Sequence, residues 1–367
     1  MTLPITSTIA ARFPLVARKR PPAKPLDTRV NRLAVLAETA HREHDPAKAS
    51  MVFNGAALVA SDCADAYLAR AWCHRHANLY LDQAPLNAHT ARFALEPVVN
   101  LARLRIRAGD GDSAHALLTD LYEATINATD VNLDGLELHA RHLPADPSER
   151  DQLVSWLRSV LLTDGTRALT LTGHWADAVA HVHRYDGIGP NLLDGRQVAV
   201  VAHLMQGDGP AAAAILHRSR IKDQWEKPVR DLLHLWSAAV AGDPRQGDHS
   251  ALINQVPGVP PAPGLTVFRT RLVLTALDLT TDLPANIAAS LIDRLVTDVL
   301  HGQDANPARE LCNHPAVGPK HRETLRQLIE ASGLDLHELP DPAHHILSSA
   351  LDLAGTVIGS RGTAGLS

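Results

Sequence analysis

Aromatic side chains are scarce in this chain, at 4% of residues. Face-to-face sheets lean on aromatic and β-branched residues, so their shortage argues against a β-sandwich. Cysteine is scarce as well. Cys63, Cys73 and Cys312 make an odd count that cannot build a disulfide framework and suits a reducing compartment. No apolar run approaches the ~18 residues that a bilayer span requires. The amino terminus does not read as a secretory leader. Pro4, Arg12 and Pro14 interrupt its apolar residues, and its charges follow that stretch instead of preceding it. These absences set the expectation of a cytoplasmic protein without membrane contact.

What is abundant is alanine, leucine and valine. Hydrophobic residues reach 45% of the 367 and charged ones 20%, enough for a large core and too apolar for wholesale disorder. The net charge of −5 gives no general case for nucleic-acid binding. Arginine outnumbers lysine, and histidine is plentiful, a usage that resembles high-GC bacterial proteins. Residues 1–26 hold Arg12, Arg18, Lys19, Arg20 and Lys24 with no acid and five prolines. They read as a basic, disordered arm.

Helical signals begin at Asp27, which can cap a segment carrying Val30, Leu33, Ala34, Ala37 and His41 on one face. Asp45-Pro46, Asp146-Pro147, Asn306-Pro307 and Asp341-Pro342 repeat a capping residue followed by proline. Glu149, three residues after Asp146, adds a capping box. So many restarts predict short helices. Strand signals are nearly absent: Asp186-Gly187 follows a helical pattern, and residues 127–146 look polar and irregular. The run VPGVPPAPG at 256–264 cannot hold a helix. The expected division is a basic arm 1–26, a helical array 27–255, a Pro/Gly-rich break 256–264, a C-terminal helical segment 265–355 and a disordered tail 356–367.

One turn recurs. In LARLRIRAGDGDSAHALLTDL (101–121), LTLTGHWADAVAHV (169–182) and HLMQGDGPAAAAIL (203–216), a helical pattern reaches a glycine and an alanine follows five residues later. The pairs are Gly109 and Ala114, Gly173 and Ala178, Gly207 and Ala212. Leu118, Val182 and Leu216 follow nine after the glycine. Gly173, Gly207 and Gly242 stand 34 and 35 residues apart. A residue tolerating φ > 0 ends the first helix, and a small residue lets the second approach it. Helix pairs of this kind bury their apolar faces by stacking, and a period of ~34 is that of tetratricopeptide repeats.

These segments resemble the helix–turn–helix centre of tetratricopeptide repeats, and residues ~27–255 resemble an array of them. The Trp and Tyr common in that family's first helix have no counterparts here. Gly247 stands where the fourth alanine would be. Residues 265–355, helical but out of phase with the repeat, are expected to add a C-terminal helical bundle. The resemblance implies an all-α, right-handed α-solenoid of antiparallel helix pairs that binds peptide or protein segments on its concave side. Counting back from each turn glycine places Arg103, Arg167 and Val201, then Val99, Thr163 and Gln197, then Ile106, Thr170 and Leu204, on that side. The binding residues expected are therefore Arg103, Arg167, Thr163, Thr170 and Gln197, with the arginines gripping an acidic or C-terminal carboxylate group. The bland alternative pairs those arginines with neighbours such as Glu96 and Asp194.

No residue is expected to be catalytic. Gly109-Asp110-Gly111-Asp112-Ser113-Ala114 fits a dinucleotide-binding pattern, but helical sequence precedes it where a strand is required, and its aspartates would repel a pyrophosphate. Cys73 and His76 share a helix face, yet no second Cys/His pair completes a zinc site. The reading is a buried thiol with surface histidines, and neither metal nor cofactor is expected. The five tryptophans read as core. The expected function is thus a non-catalytic protein- or peptide-binding repeat protein, regulatory or scaffolding, in a bacterial cytoplasm. The alternatives are an enzyme of unfamiliar helical type and a small-molecule or peptide sensor with an enclosed pocket.

Overall fold

The computed structural model describes residues 4–144, 146–242, 262–280, 283–334 and 336–360. They are predominantly helical, and no helix among them is long and apolar enough to cross a membrane. The chain forms two compact units. One, here the strapped unit, combines Met1–Lys24 with Gly173–Ser332. The other, the hairpin unit, combines Pro25–Thr172 with Gly333–Ser367. The expected break at 256–264 falls outside the described residues save for 262–264, as does the tail beyond 360. Residues 356–359 belong to a helix.

The hairpin unit runs α2 (Leu26–Glu43), α3 (Pro46–Asp62), α4 (Ala66–Leu81), α5 (Ala88–Arg107), α6 (Gly111–Asn127) and α7 (Pro147–Val160), with a π turn (Leu161–Gly165) leading into α8 (Thr166–Leu171). Each helix from α2 to α6 packs on the next, and α3 meets α5 as α5 meets α7, the neighbour pattern of a helical repeat. The last helix of the chain, α17 (Asp341–Gly359), returns to cover α2, α3 and α4. The strapped unit holds α1 (Pro4–Ala10), then α9 (Trp175–Arg184), α10 (Asp194–Met205), α11 (Gly209–His217) and α12 (Glu226–Val240). It continues through α13 (Thr266–Leu279), α14 (Ala285–Gly302), α15 (Ala305–Cys312) and α16 (Pro319–Ser332).

The turn device is wider than the glycines reveal. Gly109, Gly173 and Gly207 have φ of 83°, 79° and 80°, but His44, Ala64 and Gln303 also take left-handed values of 51°, 63° and 49°. Five residues after each stands an alanine with no exposed surface: Ala49, Ala69, Ala114, Ala178, Ala212 and Ala308. Directly after each, except at Gly173, stands an aspartate. Asp45, Asp65, Asp110, Asp208 and Asp304 each accept a backbone N–H of the following helix. The left-handed residue ends one helix, the aspartate satisfies an orphan donor of the next, and the alanine lets the two backbones close. The capping box at Asp146 is different. Asp146 caps α7, but Glu149 reaches Ala88 N at 3.0 Å instead of its own cap.

The G-x-G-x-x-A pattern also finds its cause here. A Cβ on Gly111 would lie 2.2 Å from the carbonyl oxygen of Ala168, and one on Gly209 would lie 2.5 Å from that of Ser237. The second glycine therefore lets a helix start lie on the backbone of a neighbouring helix. Gly109 has open space around it and is held only by its positive φ. Gly111→Ala is expected to cost about 3 kcal/mol and Gly109→Ala about 1 kcal/mol, read as melting-temperature shifts. Equal shifts would refute the packing role.

The stretch 127–146, expected to be irregular, holds regular structure at Asp130–Leu133, Leu136–His139 and Ala140–His142. Asp130–Leu133 and Leu136–His139 form an antiparallel hairpin, β1 and β2, about Asp134 and Gly135 with φ of 58° and 90°, as an Asp-Gly hairpin turn requires. Leu133, Leu136 and Leu138 are buried. Asp134 ties the tip down. Its carboxylate accepts from Arg105 at 2.6 Å, Arg70 at 2.7 Å and His74 at 3.1 Å. Burial opposes its charge, and the hydrogen bonds from Arg105, His74 and Arg70 outweigh that and hold its pKa below the ordinary value.

Candidate functional site

The basic arm is not loose among the described residues. Helix α1 packs on α10 and α13, and residues 11–24 continue as a non-helical strap along the same unit. The basic, proline-rich composition suggested a solvated tail, and the charges at Arg18, Lys19 and Arg20 are indeed exposed. The apolar residues between the charges do the docking: Ile9, Ala10, Phe13, Leu15 and Ala23 are all buried.

Gln197 is the centre of this arrangement. It lies on α10 with no exposed surface. Its Oε1 accepts the Leu15 N–H at 2.7 Å, and its Nε2 donates to the Leu15 carbonyl at 2.9 Å and to the Leu192 carbonyl at 3.0 Å. One side-chain amide thus pairs with both backbone groups of a residue in the strap, as a neighbouring strand would. On one side, Phe13 rests against Trp236 of α12, ring centres 5.8 Å apart. Arg12 donates to Asp278 of α13 at 2.6 Å. On the other, Arg18 forks onto both oxygens of Asp194 at 2.7 and 2.6 Å. Farther along, Arg20 N donates to Gly264 O at 3.0 Å and Ala23 N to Asp304 at 2.9 Å. A Cβ on Gly264 would stand 2.9 Å from the Arg20 carbonyl, so the residue must be small. Asp278 also meets His314 at 3.1 Å. Burial works to raise its pKa, but the His314 hydrogen bond and the Arg12 charge prevail and lower it.

The hairpin unit presents an open polar stripe. Arg92, Glu96, Asn100 and Arg103 follow one face of α5. Asn54 of α3 donates to Glu96 at 3.1 Å and accepts from Asn100 at 3.0 Å. Arg103 donates to Asn100 at 3.0 Å and twice to Asp164, at 3.0 and 2.8 Å. The Arg92 guanidinium lies 5.3 Å from the centre of the Trp156 ring. Met51 and Leu58, flanking Asn54 on α3, are exposed. Along α7, Ser148, Asp151, Gln152, Ser155, Trp156 and Ser159 line an open depression of about 670 Å³. A second cleft in this unit, walled by Tyr80, Phe93, Pro46 and Leu86 among others, holds only about 180 Å³, less than a drug-sized ligand fills.

The sequence-derived positions separate accordingly. Arg103 lies on the stripe but is bound to Asp164 and Asn100, so its charge is already partnered. Thr163 turns its hydroxyl back to the Ser159 carbonyl at 2.9 Å. Arg167 is exposed. Thr170 is buried and donates to the Arg167 carbonyl at 3.2 Å, so it does not face an open groove. Val99, Ile106, Val201 and Leu204 are core. Gln197 belongs to the strapped unit, apart from the other four, and is covered by the strap. Asp194 and Asp278, its acidic flanks, were not among the expected residues. Their partners lie 176 and 266 positions away, a separation that local spacing does not register.

Nucleophiles are muted. Burial pushes the Cys63 thiol up to about 11 and the Cys73 thiol up to about 12, so both stay protonated near neutrality. His76 is not a surface residue. It is buried, stacked on Phe53 with ring centres 4.9 Å apart, and neither ring nitrogen has a hydrogen-bond partner. Among the described residues no group of three or more His, Cys, Asp or Glu is placed to hold a metal ion. No protein-family model matches the chain, and no curated protein or solved structure matches it.

Proposed function

We propose that this chain is a non-catalytic helical-repeat protein that binds an extended protein segment and serves as a regulatory or scaffolding factor in a bacterial cytoplasm. In this reading its helices form a right-handed, tetratricopeptide-like solenoid of antiparallel pairs. The supporting observation is the treatment of Leu15. A buried glutamine reads its backbone, an aromatic wall takes the neighbouring Phe13, and carboxylates take the arginines on either side. Backbone pairing supplies affinity in such recognition and the side-chain contacts supply selectivity. The stripe with Arg103 and Trp156 offers a second surface, with an aromatic residue and arginines of the kind that anchor interfaces.

Selection of a displayed peptide library on the intact protein tests this. Peptides sharing an extended pattern are expected to enrich over a bare support, with affinity falling at least ten-fold in Gln197→Ala or in Arg103→Glu. Failure of any peptide to enrich would sink the reading. Arg103 is half-exposed, so its loss is expected to cost under about 1 kcal/mol of stability. A binding defect in that variant is then separable from unfolding by a thermal melt.

A further inference from the structure

We propose that the strap groove of the strapped unit accepts, from a partner protein, an extended segment with two arginines six residues apart around an aromatic-Pro-aliphatic core, and that residues 12–18 of this chain are a tethered competitor for that place. The proposal rests on the peptide-binding reading above and specifies its ligand.

Three observations converge. The first is connectivity. The strap joins the rest of its unit only through the whole of residues 25–172, so its contacts are all long-range: 266 positions for Arg12 with Asp278, 182 for Leu15 with Gln197, 176 for Arg18 with Asp194. The strap meets its groove as a separate segment would.

The second is the kind of contact. Filling an apolar core calls for apolar side chains. Beyond burying Phe13 and Leu15, the groove spends a fully buried amide on the N–H and C=O of Leu15, groups that every residue except proline carries. That clamp reads backbone groups and no side chain. The chemistry that discriminates lies beside it: Asp278 for Arg12, Trp236 for Phe13, and Asp194 with a two-pronged fit to Arg18. A fork onto a carboxylate selects arginine over lysine by geometry. The third is charge. The strap carries Arg12 and Arg18, and Asp278 of α13 and Asp194 of α10 take them from two different helices, while Asp304, the cap of α15, takes the Ala23 N–H. A groove without an occupant would leave the Gln197 amide and the Asp278 carboxylate lacking these partners, so the groove favours exchange of one segment for another over vacancy.

The strap is held unevenly. Arg12 is nearly buried, whereas the Arg18 side chain is 48% exposed. Displacement by an incoming segment therefore begins at the Arg18 end.

The test uses the full-length chain and a fluorescein-labelled peptide of residues 9–24, followed by anisotropy. The wild-type protein, whose groove is filled in cis, is expected to bind weakly. An Arg18→Glu chain, with its own strap loosened, is expected to bind the wild-type peptide at least ten-fold more tightly. Adding Gln197→Ala to that chain is expected to remove the gain, and a peptide with both arginines changed to glutamate is expected not to bind. Hydrogen exchange on the wild-type chain gives a readout independent of any variant: excess peptide is expected to deprotect Leu15. Equal affinity in the wild-type and Arg18→Glu chains, with Leu15 still protected, would overturn the proposal. So would a peptide-free dimer of the Arg18→Glu chain that exchanges straps between copies. If library peptides of a different pattern enrich while this one fails, the general function survives and this ligand does not.

Discussion

Gln197→Ala is expected to unseat the strap and destabilise the protein by about 3 kcal/mol or more. The substitution strands the Leu15 N–H, the Leu15 carbonyl and the Leu192 carbonyl in an interior where Gln197 had no exposed surface. Each buried group left unpaired costs roughly 1–3 kcal/mol, less where water enters. Against a net stability on the order of 5–15 kcal/mol, that is a large share. Limited trypsin digestion reads it locally. Arg18, Lys19 and Arg20 are exposed, and the buried residues around them hold their backbone away from the protease. Cutting after Arg18 and Lys19, the two of them not followed by proline, is expected to accelerate by about 100-fold if opening alone gains roughly 2.7 kcal/mol. Gln197→Glu separates the two halves of the clamp. A carboxylate still accepts from Leu15 N but cannot donate to either carbonyl, and it buries a charge. That variant is expected to be at least as unstable at neutral pH and to recover partly in acid, where a protonated carboxyl donates again. An unchanged melt in both variants would mean that the clamp contributes nothing.

Much of the helical build was legible in the residues, and the reasons for the misses are physical. The glycine turns at 109, 173 and 207 and their alanines stood out because glycine is the usual occupant of the left-handed region. The same turn at His44, Ala64 and Gln303 was hidden, because residues with a Cβ rarely enter that region. The aspartate one position later is the more constant sign, and it exposes these turns once the alanine five positions on is counted with it. The hairpin was legible too. Val131 and Leu133 alternate up to Asp134-Gly135, and Leu136 and Leu138 alternate after it. Its strands are only four residues each, short enough to be lost beside the polar residues around them. The strap was a different case. Phe13 and Leu15 show the alternation of an extended segment, but what buries them lies nearly two hundred residues away, and composition alone favours solvent for a proline-rich basic run. Gln197 was found by counting from a turn glycine. What the count could not supply was that the chain itself covers that face.

Acid is expected to unfold the protein through His76. The ring lies between Phe53 and Tyr80, with centres 4.9 and 5.7 Å away, and neither nitrogen finds a partner. Burial therefore lowers its pKa from 6.5 to about 3. As pH falls below 6.5 the unfolded chain takes up a proton that the folded one refuses until about 3. The unfolded state binds more protons throughout that window, so stability is whole above it and declines downward through it. At pH 5 the loss from this residue is about 2 kcal/mol, at 1.36 kcal/mol per unit, and near pH 3 it approaches about 5 kcal/mol. Asp134 and Asp278, held below their ordinary values, add acid sensitivity of their own at lower pH, so the His76 share must be read by difference. His76→Phe keeps an aromatic ring in the stack and removes both the titrating group and the two unpaired nitrogens. Urea unfolding at pH 7 and pH 5 is expected to show the wild type losing about 2 kcal/mol more than the variant between the two pH values. The variant is expected to match or exceed wild-type stability at pH 7, because a phenylalanine asks for no hydrogen bond where none is on offer. Parallel losses in the two proteins would show that His76 already accepts a proton in the folded state.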